Sequence, residues 1–253
     1  MQIQSFLYYL EFEKRYSAHT ILAYKTDLNQ FFDFLSITYQ FQKLDEIKST
    51  HIRSWMVDLI TLEIAPRSIN RKLSTLKSFF KFHLKHKRIS TNPMSKIQPP
   101  KSGKKLPVFV SKEHLKTLFE DITFPIGFEG ARDKLILQMF YATGMRSAEL
   151  VGLNRTDIDL QKQEIKVFGK GSKERLIPIT RKMSEQIENY FDLLDLTYPD
   201  LGFFLFINDK GKPVNAGFVS RLVKKYLSMV TTVEQKSPHV LRHSFATHLS
   251  DNG

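Results

Sequence analysis

Apolar residues recur at helical spacing through the first hundred residues of the chain. The pattern predicts four helices there: "SFLYYLEFE", "HTILAYKTDLNQFFDFL", "STHIRSWMVDLITL" and "RSINRKLSTLKSFFKFHLKHK". Ser17 or Thr20 is the expected N-cap of the second helix, Ser49 or Thr50 caps the third, and Pro66 opens the fourth. The apolar face predicted for the second helix consists of Leu22, Leu28, Phe31, Phe32 and Leu35.

The stretch "STNPMSKIQPPKSGKKLP" interrupts this pattern. It holds four of the ten prolines, a glycine and several lysines, so it cannot continue a helix and has little to bury. The sequence therefore predicts a helical domain over residues 1–98, an exposed linker over 99–106 and a second domain over 107–253.

The second domain mixes helices with one β-hairpin. "SKEHLKTLFEDI" and the largely buried "FEGARDKLILQMFYAT" are predicted helices, and Gly144 is the expected C-cap of the latter. "DIDLQKQEIKVFGKGSKERLIPIT" has two short β-branched runs around a glycine-containing tip, which predicts a hairpin. Helices return at "RKMSEQIENYFDLL" and "NAGFVSRLVKKYLSMV". The predicted fold class is mainly α with a small antiparallel β-sheet, in two domains.

The composition narrows the class of partner. A net charge of +12 favours a polyanion, either a nucleic acid or an anionic membrane surface. The absence of cysteine excludes disulfides and cysteine-ligated metal sites. The first residues do not have the pattern of a signal peptide, and no apolar run approaches the roughly 18 residues of a membrane helix. We expect a cytoplasmic protein that does not enter membranes.

The fourth predicted helix carries a basic face. Residues 64–112 contain no Asp or Glu but 13 Lys and Arg. The opposite sides of the helix differ. An apolar stripe consists of Ile69, Leu73, Leu76, Phe80 and Leu84, and the other side carries Arg67, Arg71, Lys77, Lys81 and Lys85. Like charges one turn apart repel, so a counter-charge from outside, such as DNA phosphate, is favoured over an ordinary solvated face or a membrane-surface helix. Phe79, Phe80 and Phe82 are expected in the core, and rigidly spaced cations favour duplex over single-stranded DNA.

Three short motifs contain residue types that bind phosphate. In "YATGMRSAELVGL", Glu149 lies one turn after Arg146 and can orient its guanidinium, although the two can equally form an ordinary surface ion pair. In "GKGSK", Lys170 lies in a glycine-flanked tip and can donate a proton, or can simply be solvated. In "SPHVLRHSFATHL", Ser237 and Pro238 start a helix that carries His239 and Arg242 in its first turn, beside unpaired N–H groups.

A zinc site is the rival interpretation of the last motif. His239 and His243 are spaced i, i+4, as in zinc-binding helices. No Glu follows His239, and the sequence shows no cluster that supplies a third ligand. We therefore expect neither a metal nor another cofactor.

Taken in order, these motifs resemble the Xer branch of the tyrosine site-specific recombinases, the phage integrase family. "SAHTILAYKTDLNQFFDFL" and "RSINRKLSTLKSFFKFHLKHKRISTNP" are similar to its SAM-like core-binding domain. "YATGMRSAELVGLNRTDID", "GKGSKERLIPI" and "SPHVLRHSFATHL" are similar to three boxes of its catalytic domain. The resemblance covers most of the chain and implies a DNA recombinase of the Xer type, which points to chromosome-dimer resolution.

The resemblance also implies a role for each residue. Arg146 matches the first catalytic arginine, Lys170 the general acid, and His239 and Arg242 the His-x-x-Arg pair, while Glu149 matches the acidic support of the first arginine. The partner implied is a duplex recombination site, bound by a homo- or heterotetramer of full-length protein.

One part of the family pattern is missing from these 253 residues. The family's nucleophilic tyrosine follows the His-x-x-Arg helix, whereas all nine tyrosines here precede His239. We therefore expect a polypeptide that is inactive in cleavage and weakly associated or monomeric. The alternative function is a DNA-binding decoy or regulator that never cuts, and a third is RNA or membrane binding by the basic helix alone.

Overall fold

The chain folds into two units, Met1–Lys105 and Leu106–Gly253, called below the N-terminal and C-terminal units. The computed structural model describes residues 2–40, 43–101, 103, 108–169, 174–199 and 202–250. Half of the predicted linker, residues 102 and 104–106, lies outside the described residues, so the linker remains a prediction.

The N-terminal unit contains the four predicted helices. They are α1 (Gln2–Tyr8), which continues into a π-helical turn (Tyr9–Glu13), α2 (Ala18–Tyr39), α3 (Ser49–Thr61) and α4 (Pro66–Lys85). Helices α1, α3 and α4 all pack on α2, and Trp55 of α3, the single tryptophan of the sequence, is 2% exposed in the core.

The N-cap of helix α2 is Ser17, one of the two residues predicted for this position. The Ser17 Oγ accepts a hydrogen bond from the backbone N–H of Thr20 at 3.3 Å. The predicted apolar face is right for Leu28, Phe31 and Leu35, which are buried, and for Phe32, which packs against the core. It is wrong for Leu22, which is 61% exposed. At about 100° per residue, Leu22 projects away from the side shared by the other four.

The predicted cap of α3 is wrong. The helix begins at Ser49, so neither Ser49 nor Thr50 occupies the N-cap position, which belongs to Lys48. The backbone N–H of Lys48 donates to Nδ1 of His51 at 3.1 Å. A ring nitrogen three residues into the helix thus takes the role that a carboxylate or amide has in a capping box.

Helix α4 begins at Pro66, as predicted, and buries the expected side. Its buried apolar residues are Ile69, Leu73, Leu76, Phe79, Phe80 and Phe82. Leu84, predicted on the same stripe, is 36% exposed, whereas Phe82 and His83 in the same last turn are buried.

The C-terminal unit surrounds one buried helix. Its elements are α5 (Lys112–Glu120), α6 (Phe128–Thr143), α7 (Ser147–Val151), β1 (Ile158–Asp159), β2 (Glu164–Phe168), β3 (Glu174–Pro178), α8 (Arg181–Thr197), α9 (Ala216–Val230) and α10 (Pro238–Ser250). Helices α8, α9 and α10 pack against α6, whose residues Leu135, Ile136, Leu137, Met139 and Phe140 are at most 2% exposed. This burial on several sides agrees with the prediction for α6.

The predicted hairpin is part of a three-stranded antiparallel sheet. β2 pairs with β3 as expected, and the two-residue β1 adds a third strand in the order β1-β2-β3. The register pairs Val167 with Arg175 and Phe168 with Glu174, and residues 170–173 between them lie outside the described residues. The mainly α fold class with a small antiparallel sheet is confirmed.

Candidate functional site

The turn after α6 determines where Arg146 lies. Gly144 ends α6 in the left-handed conformation (φ 57°), as its predicted C-cap role requires, and its N–H donates to the carbonyl of Phe140 at 3.1 Å. Met145 is fully buried, and its N–H donates to Oγ1 of Thr143 at 3.3 Å. Arg146 is the residue directly before α7. The hydrogen bonds of Gly144 and Met145 therefore fix the backbone that leads to its side chain.

Glu149 of α7 binds two arginines. Its Oε1 accepts from Nη1 of Arg146 at 2.9 Å, and its Oε2 accepts from the backbone N–H of Arg146 at 2.7 Å. Arg175 of β3 donates to the same carboxylate from both sides of its fork, Nη1 to Oε1 and Nη2 to Oε2, each at 2.8 Å. The Glu149 side chain is 4% exposed, whereas those of Arg146 and Arg175 are 57% and 39% exposed.

These contacts keep Glu149 charged. The hydrogen bonds from Arg175, together with those from Arg146, lower the pKa of Glu149 to about 2, although its burial alone would raise that pKa. Arg175 was not predicted from the sequence. It shares the less exposed face of β3 and its exit with Ile177 and Ile179, but Leu176 on the other face is also apolar, so alternation along the sequence did not distinguish the two faces.

Arg242 lies on α10, which begins at Pro238 as predicted. The helix is held by buried Ser244, whose Oγ accepts from the backbone N–H of Val110 at 2.8 Å. The Nη1 of Arg242 is buried and has no hydrogen-bond partner among the described residues. A buried donor without a partner is costly, so this atom favours an acceptor supplied from outside the chain.

The charges around Arg242 belong to the same cluster. Burial lowers the pKa of Arg242, the positive charge of Arg146 lowers it further, Glu149 opposes this change, and Arg175 adds to it. The structure therefore brings Arg146, Glu149 and Arg242 into one electrostatic site, together with Arg175. We call these four residues the arginine cluster.

Of the other two predicted catalytic residues, only His239 belongs to the described part of the chain. It is exposed in the first turn of α10, one helical turn before Arg242. Lys170 lies outside the described residues, in the segment between Phe168 of β2 and Glu174 of β3.

The arginine cluster is suited to an anion with several oxygens. Arg146 and Arg175 pair with one carboxylate, and Arg242 feels the charges of all three groups, so the cluster keeps an excess of positive charge after its internal pairing. Guanidinium forks bind carboxylate or phosphate oxygens in pairs. Donors fixed before a ligand arrives also stabilise charge that develops during a reaction.

The basic face of α4 is exposed over its whole length, at Arg67, Arg71, Lys77, Lys81 and Lys85. Arg71 differs from the three lysines because it pairs with buried Asp27 of α2. Within the described part of the chain, Lys77, Lys81 and Lys85 form no ion pair.

The sequence analysis also missed a buried polar network in the N-terminal unit. Lys72 is 6% exposed, and its Nζ donates to Oδ1 of Asp27 at 3.1 Å and also to Gln30. Thr75 donates to Oδ2 of Asp27 at 3.0 Å. Spacing on α4 identified the basic side of the helix, but the partner of Lys72 lies on another helix.

Metal centres and membrane spans are the remaining classes of site. The described residues contain no group of three or more metal-ligating side chains that would hold a metal ion. None of the described helices combines the length and apolarity needed to span a membrane.

Two sequence families match the chain. The model of the Phage integrase family matches residues 109–253, and that of the Phage integrase, N-terminal SAM-like domain matches residues 3–87.

Relatives are similar over nearly the whole chain. The tyrosine recombinase XerC of Chlorobaculum tepidum is 35% identical over 98% of this chain and 82% of its own length. The tyrosine recombinase XerC of Staphylococcus carnosus is 34% identical over 99% of this chain and 83% of its own length.

Solved structures share the fold. The Tn1549 transposon integrase in complex with circular intermediate DNA has a TM-score of 0.76 at 19% identity, covering all of this chain and 87% of the integrase chain. The XerH site-specific recombinase bound to palindromic difH substrate has a TM-score of 0.75 at 24% identity, covering 92% of this chain and 69% of the XerH chain. The family matches and the XerC relatives show that the chain belongs to the phage integrase family of tyrosine recombinases.

Proposed function

We propose that this chain binds a duplex recombination site and holds the phosphate at which a site-specific recombinase of the Xer type cleaves and rejoins DNA. One observation carries the proposal: the buried Nη1 of Arg242, which has no hydrogen-bond partner in the described part of the chain, lies in the electrostatic field of Arg146 and Arg175. A phosphodiester supplies both the missing acceptor and the negative charge. The charge of +12 and the XerC relatives support DNA as its source.

In the proposed reaction, the oxygen of the family's nucleophilic tyrosine attacks the phosphorus. A 3′-phosphotyrosyl bond forms while the bond to the 5′ oxygen breaks. Arg146 and Arg242 stabilise the charge on the non-bridging oxygens. Lys170 gives a proton to the 5′ oxygen as it leaves, and His239 assists by hydrogen bonding or proton transfer. Glu149 positions Arg146. The rejoining step is the reverse, with a 5′-hydroxyl as the attacking group.

The proposal separates DNA binding from cleavage. None of the nine tyrosines follows His239. We therefore propose that the 253-residue polypeptide binds DNA without attacking it, and that assembly into a tetramer accompanies cleavage. The proposed setting is the cytoplasm, and the proposed biological role is chromosome-dimer resolution, as the XerC relatives favour.

The test starts with a duplex selected from a random pool by the chain itself. Each phosphate of that duplex is then replaced, one at a time, by an uncharged methylphosphonate. We expect one position per strand at which this replacement weakens binding about tenfold for the wild type, the size of a charged hydrogen bond, but not for Arg242→Ala or Arg146→Ala. Arg181→Ala is the matched control, because the Arg181 side chain is 85% exposed and pairs only with neighbouring Glu185 among the described residues.

If no phosphate is coupled to Arg146 and Arg242, the proposed site is wrong. Binding that survives Arg146→Ala unchanged at every phosphate supports the basic helix alone as the binding element. A nicked suicide substrate tests cleavage separately. We expect no adduct that survives denaturation, and such an adduct would show that one of the nine tyrosines is a nucleophile.

A further inference from the structure

We propose that Arg175 is a positioning residue that holds Glu149 so that the guanidinium of Arg146 stays available for the DNA phosphate. This inference rests on the proposed function. In the proposed role, Arg175 touches neither the phosphate nor the reacting atoms and acts through the carboxylate of Glu149.

The number of acceptor sites on Glu149 limits how Arg146 can bind it. A carboxylate offers about four lone-pair sites. Here Oε1 accepts from Arg146 Nη1 and Arg175 Nη1, and Oε2 accepts from the Arg146 backbone and Arg175 Nη2, all within 2.9 Å. All four sites are filled, and Arg175 takes two of them. The Arg146 guanidinium therefore makes a single hydrogen bond to Glu149 and keeps its other N–H donors.

The charge balance of the cluster also depends on Arg175. Arg146 and Arg175 share the one negative charge of Glu149. Without Arg175, both carboxylate oxygens would have a free site, and Arg146 could close on them with both arms of its fork. A bidentate Arg146–Glu149 pair is neutral and points its donors inward, which would leave Arg242 as the only cation of the cluster free to bind the phosphate.

The strand register directs Arg175 towards Glu149. Arg175 is paired with buried Val167, and it alternates with Leu176, which is 61% exposed. A slip of one residue would turn Arg175 to the opposite face of the sheet. Because the β2–β3 pairing sets this register, Arg175 also ties the hairpin to the start of α7. Lys170, which lies outside the described residues, comes five residues before Arg175 in the sequence.

The test is a rescue experiment with the selected duplex, measured by fluorescence anisotropy. Arg175→Met keeps the length of the side chain but removes its charge and both hydrogen bonds. We expect it to weaken binding about tenfold, because Arg146 is then captured by Glu149. Adding Glu149→Gln removes the capturing charge, so the double variant is expected to bind several-fold tighter than Arg175→Met alone.

The rescue distinguishes positioning from the alternatives. If Arg175 binds DNA directly, or if its loss merely destabilises the unit, the double variant binds no better than Arg175→Met, and the inference is overturned. The same conclusion follows if Arg175→Met binds like the wild type while Arg146→Ala is impaired. Arg181→Met, which removes an exposed arginine, is the matched control for charge.

Arg175→Lys keeps the experiment decisive if Arg175→Met does not fold. A lysine preserves the charge but cannot span both oxygens of Glu149. We expect a loss of roughly threefold that Glu149→Gln again reverses. Failure of the proposed function has a different signature, since Arg146→Ala would then leave binding to every phosphate unchanged and no Arg175 variant would alter it.

Discussion

The ring of Phe245 lies against Gly144 so closely that a β-carbon added to this glycine would sit 2.5 Å from Cδ1 of the ring. Gly144 also has a positive φ of 57°, which side chains disfavour. This contact joins the end of α6, the helix that precedes Arg146, to α10, the helix that carries Arg242. Their contact therefore affects the geometry of the arginine cluster.

Gly144→Ala is expected to destabilise the C-terminal unit by about 2–4 kcal/mol, from backbone strain and the clash together. In a Phe245→Ala background the clash is gone, so the added cost of Gly144→Ala should fall to about 1 kcal/mol. Thermal unfolding followed by circular dichroism measures both values. Gly202→Ala is the control, because no atom of the described residues beyond its chain neighbours lies within 4 Å of its added β-carbon, and its φ is not positive. Equal costs in the two backgrounds would contradict the contact with Phe245.

The carboxylate of Glu149 makes stability depend on pH. Its pKa is lowered from 4.5 to about 2, so the folded state binds fewer protons than the unfolded state between these values. The stabilisation is complete above about pH 4.5, is lost as the pH falls towards 2, and amounts to about 3 kcal/mol. The difference in unfolding free energy between the wild type and Glu149→Gln, measured in urea from pH 2.5 to 7, should grow with pH in this window. Parallel curves would disprove the interaction.

His83 gives the N-terminal unit a separate pH dependence. Burial between the rings of Phe79 and Phe82, with help from the charge of Arg88, lowers the pKa of His83 from 6.5 to about 4. The unfolded chain binds the extra proton between these values, so stability is complete above pH 6.5 and falls by about 3 kcal/mol towards pH 4.

The fluorescence of buried Trp55, the only tryptophan, follows unfolding of the N-terminal unit alone. His83→Leu should flatten the pH dependence between 6.5 and 4, whereas His19→Gln, at an exposed position of α2, should leave it intact. A curve for His83→Leu as steep as that of the wild type would assign the dependence to other groups.

Asp27 is expected to be a stabilising residue of the N-terminal unit. Asp27→Asn leaves Lys72, with a side chain 8% exposed, without its charged partner, and should cost about 3 kcal/mol in unfolding free energy. Asp33→Asn is the matched control, an exposed aspartate on the same helix, and should change stability by less than about 0.5 kcal/mol. Trp55 fluorescence in urea measures both variants. Similar values for the two would show that the buried pair contributes little.

The three lysines of α4 that form no ion pair within the described part of the chain should bind DNA phosphates. Charge reversal at Lys77, Lys81 or Lys85 is expected to weaken binding to duplexes of any sequence and to lower the salt slope by about one for each phosphate that is no longer neutralised. Lys25→Glu, at an exposed position of α2, controls for the overall change in charge. The slope of log Kd against log salt concentration measures this effect. If the α4 variants have the same slope as Lys25→Glu, these lysines do not contact DNA.

Local patterns in the sequence were enough for the elements of this fold. Helical periodicity, Pro66, Gly144 and the glycine-containing hairpin tip act over a few residues, so they predicted α2, α4, α6 and the β2–β3 pair. The burial of Phe79, Phe80 and Phe82 followed from the same spacing. The exposure of Leu22 was not predicted, because it depends on which side of α2 meets the core. The cap of α3 was not predicted, because it depends on the orientation of the His51 ring towards the backbone of Lys48.

The sequence by itself determined the element types, the fold class and the order of the three motifs proposed to bind phosphate, because these depend on residues that are close along the chain. Only the tertiary structure decided which charges meet. Arg175 reaches Glu149 through the register of β3, and Lys72 reaches Asp27 through the packing of α2 against α4. Both partners lie more than 20 positions away in the sequence, where periodicity carries no information and packing alone brings them together.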